Sequence, residues 1–223
     1  IGRIKGIERP AIVTPIPNEK GGHTFLIDSG ASANAKAKNL LQNALLGYNY
    51  AKRVRHIAEP KVGLLNIGAE STKGSTEATE AYELLSKQTW FPFAGNCEGR
   101  DIPTGKFDVV VTDGFTGNVV LKFGEGLGRL FVTMIKDAAN RGGITAKLGA
   151  LLLKPALKKY MMKKLDYEEE GGAPLLGING TLIISHGASR RRAIRNAVRL
   201  ASQVAEERIP DIVRETLQEE LKD

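Results

Sequence analysis

KFDVVVTDGFTGNVVLK (106–122) is the stretch whose reading decides the fold. FDVVV is a continuous apolar run rather than an alternating one, as expected of a short strand covered on both faces. Asp113-Gly-Phe-Thr-Gly-Asn then supplies two glycines for a tight turn, and Thr116 or Asn118 can cap a helix there. The next residues recur at helical spacing. A buried strand, a tight turn and a helix in immediate succession is the repeating unit of a parallel sheet. Working outward, KVGLLNIGAESTKGST (61–76) repeats the pattern. Further candidate strands are Ala11–Ile16, Thr24–Asp28 and Thr181–Ser185, and helical periodicity covers 36–56, 76–88, 117–140, 189–207 and 211–221. The expectation is a three-layer α/β/α fold with a mainly parallel sheet, forming one continuous α/β domain over 1–223. One segment breaks the alternation. Residues 142–172, bracketed by Gly142-Gly143 and Gly171-Gly172, read as a helical insertion that Pro155 should kink or split.

The 223 residues carry 32 Lys+Arg against 25 Asp+Glu, a net charge of +7. A 42% hydrophobic content builds a full core, and 6% aromatic residues argue against a stacking platform for single-stranded nucleic acid. One cysteine permits no internal disulfide, and no apolar run approaches the roughly 18 residues of a membrane span. The basic excess is patchy. Lysines 147, 154, 158, 159, 163 and 164 form an acid-free tract, followed by Glu168-Glu169-Glu170, and Arg190, Arg191, Arg192, Arg195 and Arg199 open a later helix.

In open α/β sheets, ligands bind beyond the carboxyl ends of the strands, where helix N-termini offer free N–H groups. The turn at 66–76 places Asn66, Gly68, Lys73 and Ser75 there. It is not a nucleotide P-loop, because Lys73 precedes its glycine, and it reads equally as a loop capped by Ser75. The turn at 112–122 offers Asp113, Gly114, Thr116, Gly117, Asn118 and, one turn into the helix, Lys122. Between them GNCEGRDI (95–102) is a polar connector holding Asn96, Glu98, Arg100 and Asp101; the plainer reading is an ion-pair cluster. A fourth turn system, LLGINGTLIISHGAS (175–189), contributes Asn179, Gly180 and His186, the last at a strand's carboxyl end before a helix. His23 and His56 read as structural. GEGLG (124–128) lies within a helical pattern and is no dinucleotide fingerprint. Cys97 reads as a small buried residue, and no metal-ligand cluster or cofactor is expected.

Together GLLNIG (63–68) with Lys73-Gly74, GNCEGRDI, VVVTDGFTGNVVLK (109–122), GGAPLLGINGTLIISHG (171–187), Ala193-Ile-x-Asn196-Ala197 and the opening RIKGIERPAI (3–12) resemble the PlsX family. These are the bacterial acyl-ACP:phosphate acyltransferases of phospholipid synthesis. The family's N-terminal segment is absent from this stretch. DSGAS (28–32) and Ala69 depart from the family pattern, which has Asn and an acid at those places. The resemblance implies a fold like the isocitrate/isopropylmalate dehydrogenases and phosphotransacetylases, a cytoplasmic homodimer peripherally associated with an anionic membrane surface, and transfer of an acyl group from acyl carrier protein (ACP) to inorganic phosphate. Phosphate would sit among Lys73, Asn96, Arg100 and the 114–118 turn, with Asn179 or His186 polarising the carbonyl or protonating the thiolate; Asp113, read from its place at the strand end, either satisfies backbone donors or orients a substrate or a metal. In the insertion, Leu157, Met161 and Leu165 repeat at helical spacing, with Lys159 and Lys163 opposite and Lys154 and Lys158 nearby. That pattern fits contact with a membrane or with ACP, and equally a dimer-packing helix. The rival functions are an acyl-CoA:phosphate transferase of the phosphotransacetylase type, a dehydrogenase on the same fold, and a non-enzymatic basic scaffold.

Overall fold

The computed structural model describes residues 1–157 and 167–220. Its strands are β1 (Ala11–Pro17), β2 (His23–Ile27), β3 (Val62–Asn66), β4 (Phe93–Glu98), β5 (Val109–Val111), β6 (Ala173–Leu176) and β7 (Ile183–Ile184). Its helices are α1 (Ala37–Asn49, continued by a wider turn at Tyr50–Val54), α2 (Thr76–Lys87), α3 (Gly114–Arg141), α4 (Gly143–Leu157), α5 (Tyr167–Glu170), α6 (Arg191–Glu206) and α7 (Ile209–Glu220). The seven strands form one sheet in the order β4-β3-β5-β2-β1-β6-β7. The β4–β3, β3–β5 and β5–β2 pairs are parallel, and the β2–β1, β1–β6 and β6–β7 pairs are antiparallel. Only β1 and β7 therefore run against the other strands, so the sheet is mainly parallel, as the sequence implied.

Two apolar layers cover the sheet. Phe25, Ile27, Val62, Leu64, Val109 and Val111 face the larger core with α1, α2, α6 and α7. Leu26, Cys97, Ile102, Phe107 and Val110 face the smaller one, against Val120 of α3. Val109, Val110 and Val111 are all fully buried, which is why this run does not alternate.

Two strands lie where the sequence suggested turns. GNCEGRDI is not a connector: its first half closes β4 and its second half opens a short 3-10 helix, Gly99–Thr104. Gly95 (φ +89°) allows a register shift between the Val62–Phe93 and Leu64–Asn96 pairs, so polar and apolar residues do not alternate in the sequence. β6 occupies part of the proposed 175–189 turn system and pairs with both β1 and β7. The helix expected from residue 117 begins three residues earlier, because Asp113 caps it. Pro155 does not split α4, which continues through it to Leu157, the last residue described before 167. Residues 158–166, with Lys158, Lys159, Met161 and Lys163, lie outside the described residues.

Candidate active site

β4, β3, β5 and β2 lie side by side and point the same way, so their carboxyl ends bring four turns to one edge of the sheet. These turns are 28–32, 66–75, 98–101 and 112–118. Asn66, Gly68, Lys73, Ser75, Asn96, Glu98, Arg100, Asp101, Asp113, Gly114, Thr116, Gly117 and Asn118 thus share one end of the molecule.

The platform beneath them is built by a residue that the sequence pattern does not single out. Asp28, 1% exposed, accepts four backbone N–H groups: Oδ1 takes Ile12 (3.1 Å), Gly30 (3.0 Å) and Ala31 (2.8 Å), and Oδ2 takes Ser32 (2.8 Å). A buried carboxylate is tolerated when its lone pairs are filled in this way. α3 rests directly on the turn so formed. Gly114 N donates to Ser32 O (2.8 Å), and a Cβ on Gly117 would stand 1.9 Å from Asp28 O. Asp-x-Gly followed at a distance by DGFTG was the available signal, since tight backbone approach needs glycine on one side and a filled carboxylate on the other.

The N-termini of α2 and α3 at this edge are already supplied with carboxylates, and α1, with Lys36 at its N-cap position, has no acid in its first turn. Asp113 accepts Thr116 N on Oδ1 (2.8 Å) and Thr116 Oγ1 on Oδ2 (2.6 Å), so Asp113 rather than Thr116 or Asn118 is the cap of α3. At α2 the Ser75 hydroxyl accepts Ala78 N (3.2 Å). Glu77 bonds its own backbone N–H and the Ser75 hydroxyl, which hold its carboxyl below the usual range. An anion beside α2 or α3 therefore depends on side-chain cations more than on those helix ends. Lys73 is exposed and pairs with no carboxylate among the described residues. Its loop is closed by Asn66, whose Nδ2 donates to Lys73 O (2.8 Å) while Oδ1 accepts Ile67 N (2.8 Å). Gly74 (φ +106°) passes so near Asn66 that a Cβ would lie 2.5 Å from Oδ1. Gly68 likewise passes close to Glu70 and Lys73.

Asn96, 4% exposed, donates Nδ2 to Glu70 O (2.7 Å), tying β4 to the same loop. Its Oδ1 is buried with no hydrogen-bond partner among the described residues. Arg100 Nη2 pairs with Glu98 Oε1 (3.0 Å), and Asp101 caps the short helix through Glu98 N and faces Lys106 (3.8 Å). The ion-pair reading of this segment holds for Arg100 and Glu98, while Asp101 faces Lys106 instead of Arg100. Cys97 beside them is buried, and burial, with Asp101 next, pushes its thiol up to about 12. It is no nucleophile near neutral pH. Among the described residues, no group of three or more His, Cys, Asp or Glu side chains could hold a metal.

Four candidates are not brought to this cluster in the expected way. Lys122 pairs with Glu125 (3.5 Å), one turn further along α3, instead of reaching back to its N-terminus. Asn179 is engaged at both ends of its amide, donating to Arg3 O (2.8 Å) and accepting from Arg214 (3.1 Å), and so ties the start of the chain to α7. Gly180 lies against Ile1. His186 does follow a strand, but β7 runs antiparallel to β6, so its carboxyl end is the opposite end of the sheet. There Nδ1 of His186 accepts Ala188 N (3.1 Å).

The arrangement defines a class: a three-layer α/β protein whose glycine-containing turns gather at the carboxyl ends of adjacent parallel strands. Solved structures of that class match. The Streptococcus pyogenes phosphotransacetylase superimposes with a TM-score of 0.56 at 17% identity, covering 92% of this chain and 56% of that one. The EutD phosphotransacetylase of Staphylococcus aureus gives 0.54 at 14%, covering 91% and 56%. At such identities the likeness is one of fold. The sequence goes further, since the profile of the family described as "Fatty acid synthesis protein" matches residues 1–211, and this chain belongs to that family. Relatives include a phosphate acyltransferase of Heliobacterium modesticaldum, 54% identical over 203 residues, and one of Pelotomaculum thermopropionicum, 47% identical over 218. The chain spans 59% and 63% of their lengths, respectively.

Proposed function

We propose that the chain carries the phosphate-binding side of an acyltransferase that moves a fatty acyl group from acyl-ACP to inorganic phosphate. A phosphate oxygen adds to the thioester carbonyl carbon, forming a C–O bond and a tetrahedral oxyanion. Collapse breaks the C–S bond and releases acyl phosphate; the carrier thiolate takes up a proton. Phosphate is itself the nucleophile, so the protein's work is to hold it, align it and stabilise the oxyanion. The observation that carries this reading is the gathering of Lys73, Asn96 and Arg100 at adjacent strand ends, in a chain whose relatives are named phosphate acyltransferases. Lys73 supplies a point charge, Arg100 a planar fork that can exchange Glu98 for phosphate, and the Asp28–Gly117 platform the rigidity. Asn96 Oδ1, being an acceptor, suits a protonated phosphate oxygen or an amide N–H of the donor's arm.

The test is acyl phosphate formation from acyl-ACP and phosphate, trapped with hydroxylamine. Lys73→Ala and Arg100→Ala are each expected to raise the KM for phosphate tenfold or more, with a smaller effect on the KM for acyl-ACP. Unchanged phosphate kinetics in both would remove the roles given to them. A paired ACP and CoA assay separates this activity from an acyl-CoA:phosphate transferase.

The same reading includes a homodimer that associates peripherally with membranes. Support comes from α3 and α4. Of α3 only Gly114 and Gly117 are buried and of α4 nothing, while Phe115 and Phe123 are each 66% exposed and Leu130, Phe131, Met134, Leu151 and Leu152 are also open. So large an apolar surface calls for a cover. No described helix is long and apolar enough to cross a membrane. Sedimentation with vesicles, with and without anionic lipid, separates bilayer contact from self-association.

A further inference from the structure

α6 is built against its own stability. Arg190 is its N-cap residue and Arg191 and Arg192 begin it, with no acid in the first turn. Cations there oppose the positive end of the helix dipole. Arg191, Arg195 and Arg199 then succeed one another at i, i+4 spacing along one exposed row, where like charges repel. Arg192 is paired with Glu169. Among the described residues Arg190, Arg191, Arg195 and Arg199 pair with no carboxylate. Beside the row, Ile194 and Val198 are 49% and 66% exposed, while Ala193, Asn196, Ala197, Leu200 and Val204 form the buried face.

We propose that this outer face of α6 docks an acidic helix of a partner protein, and that the partner is the acyl carrier protein; the identity of the partner rests on the acyl transfer proposed above. The row from Arg191 to Arg199 spans about 12 Å on a convex surface, so its guanidinium groups cannot converge on one small anion. They match carboxylates repeating along a second helix, with Ile194 and Val198 receiving that helix's apolar residues. A bilayer fits this face less well, since its only large apolar groups are two aliphatic side chains and the aromatic surface lies on α3. Five inter-strand spacings, about 24 Å across the sheet, separate β7 from β3, and α6 starts at the end of the sheet opposite the phosphate turns, so a partner docked at α6 would have to reach them with a long prosthetic arm and not with its body.

The test compares the wild-type chain with R191E/R195E/R199E. Affinity for acyl-ACP is expected to fall at least tenfold and its salt dependence to flatten, while acyl phosphate formation from a small neutral acyl-pantetheine is unchanged. Acid-to-lysine changes on the carrier helix should restore binding. Glutamates early in a helix suit its dipole, so circular dichroism should show melting no lower than wild type, and the neutral R191Q/R195Q/R199Q should bind with intermediate affinity. Wild-type affinity in the triple charge reversal, with wild-type turnover of both donors intact, overturns the docking surface and leaves the acyltransferase standing. A wild-type chain that neither binds the carrier nor makes acyl phosphate from either donor overturns the function, and the carrier's docking site with it. Loss of anionic-vesicle binding with carrier affinity retained assigns the face to a membrane and also overturns the proposal.

Discussion

Gly117→Ala tests the platform on which the candidate site is built. The new Cβ would stand 1.9 Å from Asp28 O and 3.0 Å from both the Asp28 carbonyl carbon and Thr112 Cγ2. The nearest clash is with backbone, held by the four N–H groups that Asp28 ties down, so no side chain can rotate out of the way. α3 or the 28–32 turn must move by roughly 1 Å or more to reach ordinary contact. Overpacking costs about 1–3 kcal/mol and more when backbone must yield, against about 1 kcal/mol gained by replacing glycine with alanine within a helix. The expected net loss is about 2 kcal/mol, which for a chain of this size lowers Tm by roughly 4–8 °C. Gly124→Ala in the same helix is the control. Nothing lies within 4 Å of its Cβ position, so only the helix gain remains and Tm should rise by roughly 2–4 °C. Thermal denaturation by circular dichroism reads both. If Gly117→Ala melts as high as Gly124→Ala, the close approach of α3 to Asp28 is not as described.

Asp113→Ala removes the cap of α3 and should cost about 1 kcal/mol, while Asp113→Ser recovers most of it; urea midpoints at constant slope would show this. Cys97 should resist a thiol reagent at pH 8 in the native protein and react at once in urea, because burial keeps it protonated. Tyr50 and Cys97 are both raised to about 12 from reference values of 10.0 and 9.0. Raised folded-state values mean that folding favours the protonated forms. The stability they contribute is complete below about pH 9 and is lost as pH rises toward 12, so urea midpoints should fall through that alkaline window. His186→Ala, at the far end of the sheet, should leave the KM for phosphate within twofold of wild type; a tenfold rise would bring that end into the phosphate site.

The parts of this fold visible in the sequence are those whose signal is local. Val109–Val111 and the first three residues of β3, Val62 to Leu64, are buried on both faces, so each strand reads as an apolar run, and each is succeeded by a glycine-containing turn and a helix. β4 is hidden because Gly95 shifts its register and Asn96 turns a polar amide inward to Glu70 O, which no local pattern announces. The site divides along the same line. That Lys73, Asn96, Arg100 and Asp113 share an edge is a consequence of successive parallel strands, which the alternation of strands and helices implies. His186 shows the limit. Its position after a strand and before a helix is correct, yet the direction of β7 is fixed by its pairing with β6 across a sharp return, and direction decides which end of the sheet a residue occupies. Asp28 is the converse case. Its importance lies in four backbone donors: Asp-x-Gly marks the turn that supplies three of them, but the fourth, Ile12 of β1, and the approach of α3 are long-range contacts that spacing does not encode.

The central claim is that the turns after β3, β4 and β5 form the phosphate site. Titration of the isotope-labelled chain with inorganic phosphate, monitored by amide chemical shifts, tests it most directly. Saturable shifts confined to residues 66–75, 96–101 and 112–118, and lost in Lys73→Ala, are the predicted result. Saturable shifts that map instead to His186 and the start of α6, or that survive unchanged in Lys73→Ala, would contradict it.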